Sequence, residues 1–336
     1  MTNIAPDYST RRHFLRASAA TVTAAFLPQS LRAAEAVPAR TVPRNAFSYH
    51  FKIGDIDAYS ISDGSMLLRE GLDLMWPEGA RPKMREDLIV RGERTDALPL
   101  YVNILVLKIG REIAIFDGGF GPGKNLERGW VAAALSELGL APNQITHAFL
   151  SHAHADHIGG FVTDNHSVFP NAAVYCLREE INFWRSPVPD FSRSKRAKGP
   201  LPGMIKEARE KFDVLQPNLQ FLRDGDSVLG GAVTLLGAPG HTAGHAIFRI
   251  KSGPESLLHF MDVAHHHTLM FTDPAWGIAY DHEPEQAIDT RKKLFAELAG
   301  THERAYGFHL PWPGLGRIAL NGPGYVWQGE RWSWGH

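Results

Sequence analysis

A single cysteine, Cys176, stands among 336 residues, so no disulfide can form within the chain. It follows the apolar stretch 172–175 and is expected as a buried core thiol. Excess charge of either sign is also missing, with 35 lysines and arginines against 36 aspartates and glutamates. Residues 1–36 hold four of those basic and two of those acidic residues, which leaves 31 against 34 over 37–336, a net of −3. That balance offers no footprint for a nucleic-acid backbone. Beyond the N-terminal segment no run of about eighteen apolar side chains occurs, so no membrane span and no stable membrane insertion is expected. No internal repeat is visible. What is present is the composition of a globular protein, 44% hydrophobic and 21% charged, long enough to bury a large core.

The N-terminus reads as an address. Thr10-Arg11-Arg12-His13-Phe14-Leu15-Arg16 matches the twin-arginine export pattern, and an alanine-rich apolar stretch follows over 17–27. Ala34-Glu35-Ala36 then offers small residues for cleavage. The expectation is a signal peptide over 1–36, recognised by the twin-arginine export machinery, and a mature chain from Val37 that is periplasmic or secreted in a bacterium. Such export carries folded proteins.

The densest chemistry lies in Ser151-His152-Ala153-His154-Ala155-Asp156-His157. Imidazole and carboxylate are the side chains that zinc and similar divalent metals take up. Four of them on one tight turn cannot all reach one ion with good geometry, so the spacing suits two neighbouring ions. His152 and His154 would face one, Asp156 and His157 the other. Residues 144–150 before the turn read as a buried strand, and Gly159-Gly160 after it let the backbone turn closely around the site.

His-x-His-x-Asp-His after an apolar strand resembles the signature of the metallo-β-lactamase superfamily. Three downstream positions match as well: His241 in Gly240-His241-Thr242-Ala243-Gly244-His245, Asp262 at the end of Leu257-Leu258-His259-Phe260-Met261-Asp262, and His309 in Gly307-Phe308-His309-Leu310-Pro311. The resemblance implies an α/β fold, the four-layer αββα sandwich, as one hydrolase domain over 37–336. It implies two divalent ions, zinc first, with manganese, cobalt or iron also compatible. His152, His154 and His241 would hold one ion; Asp156, His157 and His309 would hold the other; Asp262 would bridge. A hydroxide shared by the metals would attack a small-molecule carbonyl or phosphoryl group, with Asp262 and Asp156 as the catalytic carboxylates, Asp156 orienting the hydroxide. Asp117, in an Asp-Gly-Gly turn, is expected to orient a ligand histidine. His147 and His245 are expected to be structural.

Within that superfamily Asp262 argues against the β-lactamases that carry cysteine at its place. Gly307 to Gly316, Gly322 to Trp327 and Asp262-Val263-Ala264-His265 are similar to the methyl parathion hydrolase branch, which implies lactones, aryl esters or phosphotriesters as substrates. Homodimers are common in that branch. Related lactonases carry tyrosine three residues after the bridging aspartate; here His265 stands there. Glyoxalase II-like thioesterases and a non-catalytic metal-binding protein are the alternatives. His265, His266 and His267 either line the pocket or sit on a solvated loop. Phe120, Trp184, Phe191, Phe271 and Trp276 are candidate pocket walls. The run Arg193, Lys195, Arg196, Lys198 reads as solvated, within a loop over 186–202 inserted over or beside the site.

Hydrophobic alternation predicts hairpins over 47–62 around Gly54-Asp55 and over 101–116 around Gly110-Arg111, with Asp63-Gly64 closing the first and 65–98 less regular. Helical spacing predicts helices over 126–138 and 283–298. Short strands are predicted over 233–236, 246–250 and 257–261.

Overall fold

The computed structural model describes residues 47–123 and 127–331. The expected signal peptide and the start at Val37 lie outside the described residues.

Two seven-stranded sheets dominate. The first runs in chain order: β1 (Ser48–Ile53), β2 (Ile56–Arg69), β3 (Ala97–Ile109), β4 (Glu112–Phe116), β5 (His147–Phe149), β6 (Ala173–Leu177) and β7 (Leu219–Leu222). The second does the same: β8 (Ser227–Val228), β9 (Val233–Gly237), β10 (Ala246–Ser252), β11 (Glu255–His259), β12 (Arg304–Tyr306), β13 (Leu315–Asn321) and β14 (Gly324–Gly329). Strands β1 to β4 are antiparallel; tight turns join β1 to β2 and β3 to β4, and Gly54 (φ 54°) and Gly110 (φ 61°) supply the left-handed backbone those turns need. From β4 to β7 the strands are parallel, as are β11 and β12. Parallel neighbours require a crossover, and helices supply it. Helix α1 (Arg81–Val90) precedes β3; α2 (Val131–Glu137) lies between β4 and β5, the short α3 (Ala155–Ile158) between β5 and β6, α4 (Arg178–Arg185) and α5 (Leu201–Leu215) between β6 and β7, and α6 (Leu269–Thr272) and α7 (Pro284–Thr301) between β11 and β12.

The sheets face each other across an aromatic core. Phe116 of β4 and Phe149 of β5 stack at 4.8 Å, and Phe248 of β10 meets them edge-on at 5.1 and 5.5 Å. Burying each of these rings is worth roughly 1.5–3 kcal/mol. Ser60 Oγ and Tyr306 OH, 2.7 Å apart, tie β2 to β12 across the layers. Helix α2 covers β2 and α7 covers β13, which completes the αββα arrangement. Cys176 is buried in β6, and burial pushes its thiol up to about 12, so it is an inert core residue.

Asp63-Gly64 does not close the first hairpin. A register shift between Ser62 and Ser65 lets β2 continue to Arg69, and the irregular segment contains a helix, α1 (Arg81–Val90). The bulge turns the Asp63 carboxylate inward, where it accepts the backbone N–H groups of Phe120 (2.8 Å) and Val131 (3.0 Å). Helix α2 therefore starts at Val131 and not at 126. The strand read over 144–150 shortens to β5 because Gln144 Oε1 accepts the Ala141 N–H at 2.7 Å, closing a 3-10 turn over Pro142–Gln144.

Candidate metal centre

Loops at the carboxyl ends of five strands converge between the sheets. Asp117 follows β4; His152, His154, Asp156 and His157 follow β5; His241 follows β9; Asp262 follows β11; His309 follows β12. The close crossing of two of these loops depends on Gly160, where a Cβ would lie 1.8 Å from the Gly118 carbonyl oxygen. Alanine cannot be accommodated there.

The outward bonds of each histidine decide what its other nitrogen presents to the interior. His152 Nδ1 donates to Ser151 Oγ (2.9 Å), which donates to Asp117 Oδ2 (2.5 Å). His157 Nδ1 donates to the same oxygen at 2.6 Å. His241 Nδ1 donates to Asp281 Oδ1 (2.8 Å), and His309 Nδ1 to the Tyr101 carbonyl (2.7 Å). His154 is reversed: its Nε2 faces His282 Nε2 at 3.3 Å, which leaves Nδ1 pointing inward. In its neutral form each ring therefore presents a lone pair to the interior.

Those lone pairs face one another. His154 Nδ1 is 3.0 Å from His152 Nε2 and 2.9 Å from His241 Nε2. Around a tetrahedral zinc at about 2.0–2.1 Å, neighbouring ligand atoms sit about 3.3 Å apart. Three mutually facing lone pairs repel unless a cation lies among them, so this set fits a divalent metal. A second set consists of Asp156 Oδ2, 3.7 Å from His157 Nε2 and 3.5 Å from His309 Nε2. Asp262 stands between the sets, with Oδ1 3.2 Å from His157 Nε2 and Oδ2 3.1 and 3.3 Å from the Nε2 atoms of His309 and His241. His157 Nε2 and Asp262 Oδ1 are buried without a hydrogen-bond partner, as expected of atoms reserved for metal.

Burial holds His152, His154 and His241 well below the ordinary histidine range, in the neutral form that coordinates metal. Burial acts the same way on His157 and His309. There Asp262 and Asp156, joined by Asp117 beside His157, outweigh it and raise both rings. Without a cation the second set holds protons, and a metal would replace them.

Two carboxylates not anticipated from the sequence complete the frame. Asp281 orients His241, as Asp117 orients His157. Glu180 of α4 is fully buried and fastens two ligand loops together: Oε1 accepts from Ala153 N (2.9 Å) and Trp184 Nε1 (2.7 Å), Oε2 from Thr242 Oγ1 (2.6 Å) and Gly244 N (3.0 Å). Arg291 of α7, also buried, pins the loop after Asp262 by donating to the Val263 carbonyl at 2.6 Å. His245 bridges the Ala238 carbonyl (2.9 Å) and the Asp262 N–H (3.2 Å), a structural position. His147 lies on β5 beside Thr146 and Glu112, away from the ligand cluster.

A cavity of about 230 Å³ opens over Asp156, Asp262, His241 and His309. Of the five aromatic residues expected as walls only Phe120 lines it. Trp184, Phe191, Phe271 and Trp276 are buried in the core, because large rings gain more from full burial than from a half-open wall. The apolar walls are Met66, Leu100, Ile158, Met204 and Ala208. His265 lines the cavity, its Nε2 3.1 Å from Asp262 Oδ2. His266 and His267 instead turn towards Glu93, at 3.7 and 3.4 Å. His266 Nδ1 accepts the Thr268 N–H (3.2 Å), so its Nε2 keeps a proton and offers Glu93 a donor. The basic run is not a solvated loop throughout: Arg196 enters the cavity wall.

A model of the metallo-beta-lactamase superfamily matches residues 97–309. The chain belongs to that superfamily. Among solved structures it is similar to AidC, described as a dizinc quorum-quenching lactonase in complex with a product, with 31% identity, 85% of this chain and 98% of that one covered, and a TM-score of 0.82. It is also similar to AbOPH, described as a hydrolase in the β-lactamase superfamily, at 26% identity, 86% and 99% coverage and a TM-score of 0.78. A probable metal-dependent hydrolase from Staphylococcus aureus shares the fold at 18% identity, 84% and 100% coverage and a TM-score of 0.64.

Proposed function

We propose that the chain is an exported two-metal hydrolase of lactones, with aryl esters and phosphotriesters as further substrates of the same site. The observation that carries this reading is the set of five inward imidazole nitrogens and two carboxylates, fixed by outer hydrogen bonds, beneath a mostly apolar cavity. Similarity to AidC supports a lactone, N-acyl-homoserine lactone in kind, as substrate and zinc as metal. Two divalent ions held by these donors would supply Lewis acidity and an activated water near neutral pH.

The residues of the chain do the rest. Met66, Leu100, Phe120 and Ile158 hold an apolar acyl group and exclude water from it. Asp262 and Asp156 face the reacting carbonyl from below. His265, whose Nδ1 is buried without a hydrogen-bond partner and whose Nε2 lies 3.1 Å from Asp262 Oδ2, lines the cavity where Nε2–H can donate to the oxygen released when the lactone opens. Cleavage before Val37 after twin-arginine export would deliver the enzyme to the periplasm.

The test is a hydrolysis panel on protein loaded with zinc, manganese or cobalt: γ-lactones of several acyl lengths, an aryl ester, a phosphotriester and a glutathione thioester. Lactones should give the highest kcat/KM. Turnover of the thioester alone would replace this reading with a glyoxalase II-like one. Export is tested separately: Arg11→Lys with Arg12→Lys should leave the uncleaved precursor in the cytoplasm.

A further inference from the structure

The loop between α4 and α5 is anchored at several points. Ser194 Oγ donates to the Asp281 carbonyl at 2.8 Å. Lys198 Nζ donates to the carbonyls of Phe191 (2.5 Å) and Ser194 (3.3 Å). Arg193 pairs with Glu283 and Glu285, at 3.0 and 2.8 Å. Phe191 is seated against His282, ring centroids 4.5 Å apart. Between these fixed points Arg196 lies over the Tyr280 ring, 4.6 Å from its centroid, and forms part of the cavity wall beside His154 and Asp156.

Arg196 is short of acceptors. A guanidinium carries five N–H donors in a rigid fork. Here Nη2 reaches the Tyr280 carbonyl only at 3.5 Å, Nη1 reaches the Met204 sulfur at 3.5 Å, and Nε is buried with no partner. Its Nη2 also lies 3.4 Å from His154 Nε2, but that nitrogen carries the proton directed at His282, so two donors meet. Arg193 takes two carboxylates, whereas Arg196 forms an ion pair with none among the described residues. A half-buried charged donor left this poorly satisfied is costly, and an oxygen acceptor arriving with a ligand would relieve the cost.

We propose that Arg196 is a substrate-reading subsite: it donates to an oxygen acceptor outside the scissile group, the amide carbonyl of an N-acylamino lactone, while the acyl chain lies along Met66, Leu100 and Phe120. This rests on the lactone reading above. The mostly apolar lining favours a neutral carbonyl over a second carboxylate, and a planar fork suits a planar amide.

The experiment compares two substrates of equal length, N-hexanoyl-α-amino-γ-butyrolactone and the α-alkyl-γ-butyrolactone that lacks the amide. Metal-loaded wild type, Arg196→Met and Arg196→Lys are assayed with both. Wild type should favour the amide lactone by about tenfold or more in kcat/KM, the value of one well-placed charged hydrogen bond. Arg196→Met should lower that ratio about tenfold, through KM, with Arg196→Lys between the two. Calorimetric binding of the ring-opened N-hexanoyl product should weaken in parallel. An unchanged ratio and product affinity in Arg196→Met protein that carries two metals overturns the subsite and leaves the lactonase reading intact. If Arg196→Met fails to fold, Arg196→Lys decides by the same ratio and product affinity. Hydrolysis of neither lactone by wild type overturns both.

Discussion

Replacing Asp117 by asparagine should weaken metal binding without removing a ligand. The carboxylate accepts three hydrogen bonds: Ser151 N at 2.8 Å on Oδ1, and Ser151 Oγ at 2.5 Å with His157 Nδ1 at 2.6 Å on Oδ2. An amide offers one accepting oxygen. If that oxygen keeps the Ser151 N–H, its NH2 group points at His157 Nδ1–H, and two donors collide. His157 escapes by moving its proton to Nε2, the atom that faces the metal. Loss of such an orienting carboxylate costs about 10–100-fold in metal affinity, or about 1.4–2.7 kcal/mol. His152 depends on the same carboxylate through Ser151 and should follow more weakly. The assay is a zinc titration of metal-free protein in competition with a chromophoric chelator. Two sites with unaltered affinities in Asp117→Asn would refute the argument that outer hydrogen bonds set the inward lone pairs.

Other expectations concern stability. Glu180→Gln must turn its NH2 group towards either Ala153 N and Trp184 Nε1 or Thr242 Oγ1 and Gly244 N. It should lose about 2–4 kcal/mol, read as a lower Tm, and an unchanged Tm contradicts its role as the fastener. Burial raises the Asp63 carboxyl from 3.8 to about 6 against its backbone donors. A raised carboxyl favours the folded state below about pH 4, and that stability is lost as pH rises through about 6. The difference between wild type and Asp63→Asn, followed by denaturant titration, should shift against wild type by about 2 kcal/mol between pH 4 and pH 7. A pH-independent difference contradicts it. Gly160→Ala, with no room for its Cβ beside Gly118, should abolish soluble folded protein or lower Tm sharply, and a wild-type melt would contradict the close crossing.

The ligands were legible because four histidine and aspartate side chains crowd into 152–157. What holds them was not. Asp281 acts on His241 across 40 positions and Glu180 on Thr242 across 62, and a pairing over such separations leaves no local pattern. The hairpins were readable from alternation and glycine turns, but not the bulge that carries β2 past Asp63, since a bulge looks like a turn in sequence. Arg196 was hidden in a basic run. Charge runs normally face water, and the anchoring by Ser194 and Lys198 is visible only once the loop is folded. The aromatic walls were misplaced for the opposite reason: Trp184 and Phe271 have the size to line a cavity and are spent instead on the core.

Metal stoichiometry with lactone hydrolysis, measured on the same preparations of wild type and His152→Ala, tests the central claim most directly. Wild type should carry two ions per chain and open lactones, and His152→Ala should lose at least one ion and about a hundredfold or more of kcat/KM. One ion or none in fully active wild type, or full activity in His152→Ala, would contradict a two-metal hydrolase.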